Sequence, residues 1–277
     1  MGGTARRWLS GASWSYMFGL IFFAFCVAAI LSLGAERGSL RDAMPSYVAK
    51  AALLLIIAKM LAQGSSFREL PVRVLAWARM DRANLRACIH WIMRRPHAPP
   101  PPGLAISFLA KSSYSTIVAM GIFSTFVDLP LNAMIATVMT PDPVIQSRIH
   151  ILFSVLAVYS LVWILGDRYM MQGSYCMVGA SHVDVKMAGR LEAHIPRCAI
   201  VRCEPVGEGG AAGWCKRHGV PSSEMLVSTP ADSATVMLEI DPGAGVTLTS
   251  WQVERKAPKY LFLFVDQPSM IVSALKK

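Results

Sequence analysis

The sequence predicts an α-helical membrane domain with four transmembrane helices, followed by a small cytoplasmic domain that is mostly β. Of the 277 residues, 54% are hydrophobic and only 16% are charged, whereas an average soluble domain is about one quarter charged. Apolar residues form long runs up to about residue 166 and alternate with polar residues from about residue 172. Residues 1–166 hold 15 Lys and Arg against 6 Asp and Glu, so 9 of the net +10 charges lie in the region of long apolar runs. These observations exclude an ordinary water-soluble enzyme.

Four segments approach the roughly 20 apolar residues that a helix needs to cross a bilayer. The first begins with Trp14 and Tyr16, which suit the membrane interface. The second contains Lys50 and Lys59 near its ends, where long side chains can reach the lipid headgroups. The third lies in an apolar stretch too long for one straight span, so we expect it to be tilted. The predicted spans are residues 14–33, 44–62, 113–139 and 149–165.

Basic residues set the predicted orientation. Lys and Arg in short loops stay on the cytoplasmic side of a membrane, and seven arginines lie between the second and third predicted spans. Arg6 and Arg7 precede the first span. We therefore predict a multi-pass protein of a bacterial inner membrane with both termini in the cytoplasm. The alternative for the first segment is a cleaved signal peptide, with Arg6 and Arg7 as its basic region and cleavage near Ala35.

The basic connector, residues 67–95, has apolar residues at mostly helical spacing and arginines largely on another face. This pattern is typical of an amphipathic helix at a membrane surface. The arginines either fix only the topology or also bind anionic lipid headgroups. Nucleic acid is not an expected partner, because the segment is tethered between two predicted spans. Four prolines at 99–102 predict a stiff spacer before the third span. The arginines are Arg68, Arg73, Arg79, Arg82, Arg86, Arg94 and Arg95.

The third predicted span contains an intramembrane polar site. Asp128 and Asn132 are four residues apart and share one helix face. Pro130 removes the backbone hydrogen bond to the carbonyl of Phe126. Ionisable residues in a span are costly, so each is a candidate for function. Three interpretations remain: Asp128 holds a cation or relays a proton, it packs against a neighbouring helix, or it lies at the outer interface where the span ends.

The tail from residue 172 onward alternates apolar and polar residues, which predicts β-strands separated by Gly, Pro and Asp. A closing helix is predicted after Asp266, with Asp266 as its N-cap and Pro268 in its first turn. The long loop at 207–233 is predicted to be either disordered or a binding element. The strands are expected in residues 182–187, 191–195, 201–204, 236–240, 246–249 and 260–265, of which the last is apolar on both faces.

The stretch Asp128-Leu129-Pro130-Leu131 and the span from Leu156 to Asp167 resemble a group of uncharacterised bacterial four-span membrane proteins with a small C-terminal β module. The resemblance covers about residues 110–277 and implies architecture, not activity. These proteins commonly have His where this chain has Asn132, so a metal or proton role for this face is not implied. The order of strands and one final helix resembles a pleckstrin-homology-like barrel. The predicted domains are residues 1–171 in the membrane and 172–277 in the cytoplasm.

Cysteines in the tail raise the question of a metal site. Cys198, Cys203, Cys215 and His218 offer soft ligands at a spacing similar to that of zinc sites. Cys198 and Cys203 are five residues apart, however, and would face opposite sides of a regular strand. We therefore predict no metal and no cofactor, with these four residues as weak candidates for zinc.

Two functions follow as hypotheses. The sequence contains no visible arrangement of nucleophile, base and orienting group, so we predict no enzymatic activity. The first hypothesis is a non-enzymatic interaction, assembly or sensory role, in which the β module binds a membrane or cytoplasmic protein or a lipid surface. The second is a small transporter or a proton- or cation-coupled channel that uses Asp128. The bilayer and its anionic headgroups are the other expected partners.

Overall fold

The structure is a computed structural model that describes residues 39–63, 69–139 and 141–276, together with six helical positions: Met17, Ile21, Ala24, Val27, Ala28 and Ser32. Apart from those positions, the first predicted span lies outside the described residues, as do Arg6, Arg7 and Arg68. The chain divides into two compact units. One combines Met1–Trp77 with Asp128–Leu156, and the other combines Ala78–Val127 with Ala157–Lys277. These limits differ from the predicted domains, because the second unit takes in residues on both sides of position 172.

Residues 39–172, as far as the structure describes them, contain four long helices: α1 Leu40–Gln63, α2 Glu69–Ile92, α3 Tyr114–Met139 and α4 Pro143–Gln172. Helix α3 agrees with the third predicted span to within one residue. Helix α4 is longer than the predicted fourth span at both ends. It begins early because Asp142 accepts a hydrogen bond from the Val144 N–H at 2.8 Å, as an N-cap does, with Pro143 in the first helical position.

Among the described residues, two helical stretches are long and apolar enough to cross a membrane, Tyr114–Val138 and Pro143–Gln172. Only 11% and 17% of their most apolar windows are buried inside the protein, so they do not resemble the core helices of a soluble protein. The predicted second span lies within α1, which is not among these two stretches. Two of the four predicted spans are thus supported. Lys59, which we predicted to extend to the headgroups, is instead completely buried.

The first unit contains α1, the second half of α3 and the first half of α4. Ala136 and Ile149 are its fully buried apolar residues among those described, and Ile145, Leu152 and Phe153 pack against them. The small side chain of Ala136 allows α3 and α4 to approach closely, as at other helix contacts in membranes.

The second unit contains the β module, which consists of two sheets. The first sheet is antiparallel throughout and has the order β1-β2-β3-β4-β8-β9. The second has the order β5-β7-β10-β6, with β6 parallel to β10. The strands are β1 Leu104–Ala105, β2 Tyr175–Val178, β3 His182–Met187, β4 Leu191–Pro196, β5 Ile200–Pro205, β6 Met225–Ser228, β7 Val236–Ile240, β8 Thr247–Ser250, β9 Val253–Lys256 and β10 Tyr260–Leu263.

The sheets do not close into a barrel, so the predicted pleckstrin-homology-like barrel is wrong. Strands β3 and β7 agree with the sequence prediction at both ends, and β4, β5, β8 and β10 agree closely. The architecture differs because four strands were not predicted. Strands β2 and β9 belong to the first sheet, β1 follows the proline spacer, and β6 comes from the predicted loop at 207–233. The two sheets share one hydrophobic core, which includes Val183 and Val185 of β3 and Leu238 of β7.

Two short helices, α5 Gly210–His218 and α6 Pro268–Leu275, belong to the β module. Residues Val236, Leu238 and Leu261 belong to the core between the sheets, which Ile271 of α6 also joins. Met237, Tyr260 and Phe262 face the other way and pack with Trp214 of α5. Burial on both faces explains why residues 260–265 are apolar throughout.

The predicted loop at 207–233 is therefore largely structured. Helix α5 begins after Gly209 and ends before Gly219, whose φ angles are +86° and +65°. Glycine adopts these left-handed conformations at low cost. The sequence gives only a weak signal for this helix, because its glycine-rich start reads as a turn.

Candidate functional site

The most extensive polar contacts of the second unit hold the β module to the ends of α3 and α4. We call this region the junction and define it as residues 107–114 with Asp167, Arg190, Asp232 and Asp266. All of it lies within the second unit.

Asp266 holds the segment between β1 and α3. Its carboxylate accepts hydrogen bonds from the Ser107 hydroxyl, from the Ala110 N–H at 3.0 Å and from the Lys111 N–H at 2.9 Å. Its own N–H donates to the Ser107 carbonyl at 2.8 Å. The segment has no regular secondary structure, so its backbone N–H groups require such partners. The prediction that Asp266 is the N-cap of α6 is wrong: Gln267 occupies that position without a side-chain hydrogen bond.

Asp232 caps α3 from a distant part of the chain. Its carboxylate accepts hydrogen bonds from the Ser113 N–H at 3.0 Å, from the Ser113 hydroxyl at 2.6 Å and from the Ser112 hydroxyl. A carboxylate at this end of a helix satisfies free N–H groups and interacts favourably with the helix dipole. The first turn of α3 is therefore fixed by a residue 119 positions away.

Asp167 forms a buried ion pair near the end of α4. Its Oδ2 accepts hydrogen bonds from the Tyr114 hydroxyl at 2.7 Å and from the Arg190 guanidinium at 2.8 Å. A second guanidinium N–H of Arg190 reaches the Pro230 carbonyl at 2.7 Å. Asp167 is only 4% exposed, and within the described part of the chain its Oδ1 has no hydrogen-bond partner. Burial of two charges is costly unless they are paired, so α3, α4 and the β3–β4 turn must stay together.

The carboxylates that hold the segment before α3 are stabilised in the ionised form. Burial raises the pKa of Asp266, but the Ser107 hydroxyl and the two backbone N–H groups lower it by more, so the net pKa is below its ordinary value. Burial also raises the pKa of Asp232, but the hydroxyl groups of Ser112 and Ser113 and the N–H of Ser113 lower it by more, so the net pKa is below its ordinary value. Both groups are charged at neutral pH and accept all of these hydrogen bonds.

The predicted connector forms α2, whose C-terminal part packs on α4. A Cβ on Gly166 would lie 2.1 Å from the backbone oxygen of Asn84, so only glycine permits this contact. The Trp163 indole N–H donates to Asp81 at 3.1 Å, and the Tyr169 hydroxyl donates to the Arg95 carbonyl at 2.8 Å.

The predicted amphipathic pattern of α2 is only partly observed. Its buried face includes Met80, Ala87 and Cys88, whereas Leu85 and Ile89 are exposed beside the arginines. The described arginine side chains, all exposed, are Arg79, Arg82, Arg86, Arg94 and Arg95. The side chain of Arg73 lies outside the described part of the chain.

The predicted intramembrane site lies in the first unit. Helix α3 continues through Pro130 without interruption. Asp128 and Pro130 are exposed on its surface, and Asn132 is partly buried. The structure therefore leaves Asp128 at the helix surface instead of in an enclosed cavity.

The weak zinc candidates are not gathered into one site. Cys198 is exposed, Cys203 packs against the core between the sheets, and Cys215 belongs to the separate cluster around Trp214. The His218 ring stacks on the Trp214 ring with centroids 4.0 Å apart. Among the described residues, no group of three His, Cys, Asp or Glu side chains could hold a metal ion. Burial raises the pKa of Cys203 to about 12, with a smaller contribution from Glu204, so its thiol is protonated at neutral pH.

Sequence reasoning missed most of the junction. Its partners are separated by 23 to 159 positions, so no local spacing connects them. The sequence contains one signal. Asp167 and Arg168 follow the last apolar run after a single glycine, and charged residues at the end of a span are candidates for polar contacts.

These features define a class: an α-helical protein with two helices able to cross a membrane, joined by a polar junction to a two-sheet β module. No protein-family model, curated protein or solved structure matches the chain.

Proposed function

We propose that this chain is an integral protein of a bacterial inner membrane whose β module is held at the cytoplasmic surface and docks another protein in a non-enzymatic interaction or assembly role. The junction carries the proposal. Its three carboxylates fix the module to the ends of two apolar helices, whereas a module that acts independently needs only a flexible tether. A fixed module serves a role in which its position relative to the bilayer matters.

Exposed apolar side chains support the membrane location. In the second unit, Met120, Phe123 and Phe126 of α3 are each at least 60% exposed. A contiguous apolar surface of this kind indicates contact with lipid or protein. Trp251 is also exposed, and its backbone N–H donates a hydrogen bond to the Arg190 carbonyl beside the junction. Tryptophan at such a position suits the membrane interface.

The edge strand β6 is the part of the module best suited to a partner. In the part of the chain that the structure describes, β6 pairs only with β10, at the end of the second sheet. Its sequence, Met225-Leu226-Val227-Ser228, contains no charge, and Val227 is 42% exposed. The edge strand β9 differs from β6 because it is charged: Glu254, Arg255 and Lys256 are exposed. Charged side chains on an edge strand oppose pairing with another chain. We propose that an extended strand of the partner adds to β6.

The test begins with the full-length protein in its native membrane. Extraction with sodium carbonate should leave it in the membrane pellet, and release into the supernatant would refute the membrane location. A photo-crosslinking amino acid at Val227 should then give a discrete adduct with one partner protein. The matched control is the same amino acid at Glu254, which should give none.

Three other outcomes would contradict the docking edge. Equal adducts at both positions would mean nonspecific contact, and the absence of any adduct at Val227 would remove the proposed partner. An adduct that contains only a second copy of this chain would assign the edge to self-association instead.

A further inference from the structure

We propose that a groove beside the junction binds one acyl chain of an anionic phospholipid, whose phosphate pairs with Arg168. The inference rests on the membrane location proposed above and adds a specific ligand site. The groove has a volume of about 610 Å³, within the range of small-molecule sites. Its lining from α3 follows one helix face: Ser115, Val118, Ala119, Ile122, Phe123 and Phe126.

The groove is polar at one end and apolar at the other. Arg168 and Gln172 of α4 line it together with Tyr114 and Ser115, which are in the first turn of α3. Two turns farther along α3 only Ile122 and larger apolar side chains remain. A phospholipid has this same division between headgroup and chain.

The length of the groove agrees with the thickness of the hydrocarbon layer in one bilayer leaflet. From Ser115 to Phe126 there are eleven helical steps of about 1.5 Å, or about 16 Å. Half of a hydrocarbon core of roughly 30 Å is about 15 Å. An acyl chain that follows α3 from Ser115 therefore reaches the middle of the bilayer near Phe126.

Arg168 is available for a phosphate. Its neighbour Asp167 is directed into the junction, where Tyr114 and Arg190 occupy one oxygen. Within the described part of the chain, Arg168 has no ion pair or hydrogen bond, and its side chain is exposed. Lys111, also exposed, precedes α3 by three residues and adds a second positive charge near the same helix end. Guanidinium groups bind phosphate in bidentate geometry. Anionic and zwitterionic phospholipids both carry a phosphate, so the preference for an anionic lipid comes from the two positive charges of Arg168 and Lys111 at this end.

The test uses the full-length protein in a mild detergent, delipidated and then offered equal amounts of phosphatidylglycerol and phosphatidylcholine. Native mass spectrometry should detect one retained phosphatidylglycerol. Arg168→Gln should weaken its retention about fivefold, the effect of one basic residue near an anionic headgroup, and Arg168→Lys should restore most of it. Arg148→Gln, an exposed arginine of the first unit, is the control for loss of charge alone.

A second pair of variants tests the apolar part. Ala119→Phe places a ring in the groove and should abolish retention. Met120→Phe, at the neighbouring exposed position outside the groove, should leave it unchanged. Equal retention of the two lipids would overturn the preference for an anionic lipid, and unchanged retention by Arg168→Gln would overturn the contact of the phosphate with Arg168. Normal retention by Ala119→Phe would overturn the groove. A dimer that Ala119→Phe dissociates would assign the groove to a second copy. If carbonate releases the protein, the membrane location fails first, before any lipid is measured.

Discussion

Replacement of Asp266 by alanine should destabilise the second unit by about 3 kcal/mol. The change removes the acceptor of the hydrogen bonds from Ser107, Ala110 and Lys111. A hydrogen bond to a charged group contributes roughly 1.5–3 kcal/mol. Since Asp266 is 9% exposed, water can replace part of the loss, and two unreplaced bonds at the lower value give about 3 kcal/mol. For a unit of this size, the melting temperature should fall by about 6–12 °C.

Two measurements on the detergent-solubilised full chain check this value. The first is the melting temperature from intrinsic fluorescence. The second is trypsin cleavage after Lys111, which should become faster because the segment loses the carboxylate that orders it, while cleavage at Lys216 should not change. Asp266→Asn retains one acceptor oxygen and should show about half of each effect.

Asp241→Ala is the matched control for this prediction. Asp241 also accepts a backbone hydrogen bond, from the Gly243 N–H at 2.8 Å, but at an exposed turn. Its removal should cost less than about 1 kcal/mol. If Asp266→Ala has the melting temperature and the Lys111 cleavage rate of Asp241→Ala, then Asp266 does not hold the segment and the account of the junction is wrong.

Other predictions concern the same unit. Arg190→Met should lower the free energy of unfolding by about 3–5 kcal/mol, because Asp167 is left buried without its cation. A second change, Asp167→Leu, should recover part of this loss. Chemical denaturation measures both values, and additive effects of the two changes would refute the coupling. Because its folded pKa is lowered, Asp266 stabilises the protein above a pH of about 4 and loses this contribution as the pH falls through its folded pKa. Between pH 5 and 3 the melting temperature of Asp266→Asn should therefore fall less than that of the wild type, and equal falls would contradict this. Trp251 and Gln252 form a two-residue hairpin turn and have φ angles of +51° and +63°. Asn and Gly adopt positive φ at lower cost, so Trp251→Asn with Gln252→Gly should raise the free energy of unfolding by about 1 kcal/mol. An unchanged melting temperature would contradict backbone strain at this turn.

The helical part was predictable wherever local chemistry determines it. The limits of α3 follow from its apolar run, and the existence of α2 follows from its periodicity. The start of α4 was missed, although Asp142-Pro143 is a recognisable helix start, because the prediction counted only apolar residues. Its end was missed because Asp167 and Arg168 are polar yet lie in the last turns of the helix, where Tyr114 and Arg190 hold Asp167.

In the β module, strands with strict alternation were predicted and their arrangement was not. Residues 182–187 alternate because one face is buried, and the structure agrees at both ends. Strands β1 and β6 are short and lack alternation, since their edge positions depend on neighbours distant in the chain. The positions of β1 and β6, with those of the unpredicted β2 and β9, decide between a barrel and two sheets. A list with six of the ten described strands therefore led to the wrong architecture.

The net charge also takes on a different meaning in the folded protein. Residues 167–277 hold 12 basic and 11 acidic residues, which suggests a neutral domain with no preference for a charged surface. The structure distributes these charges unevenly. Asp167, Asp232 and Asp266 are directed into the junction, where they bind hydroxyl groups, N–H groups and Arg190. Arg168 remains exposed, as does Lys111, which lies outside this range and precedes α3. The helix ends therefore present positive charge beside a domain that is neutral overall, which is the condition that an anionic lipid at the groove requires.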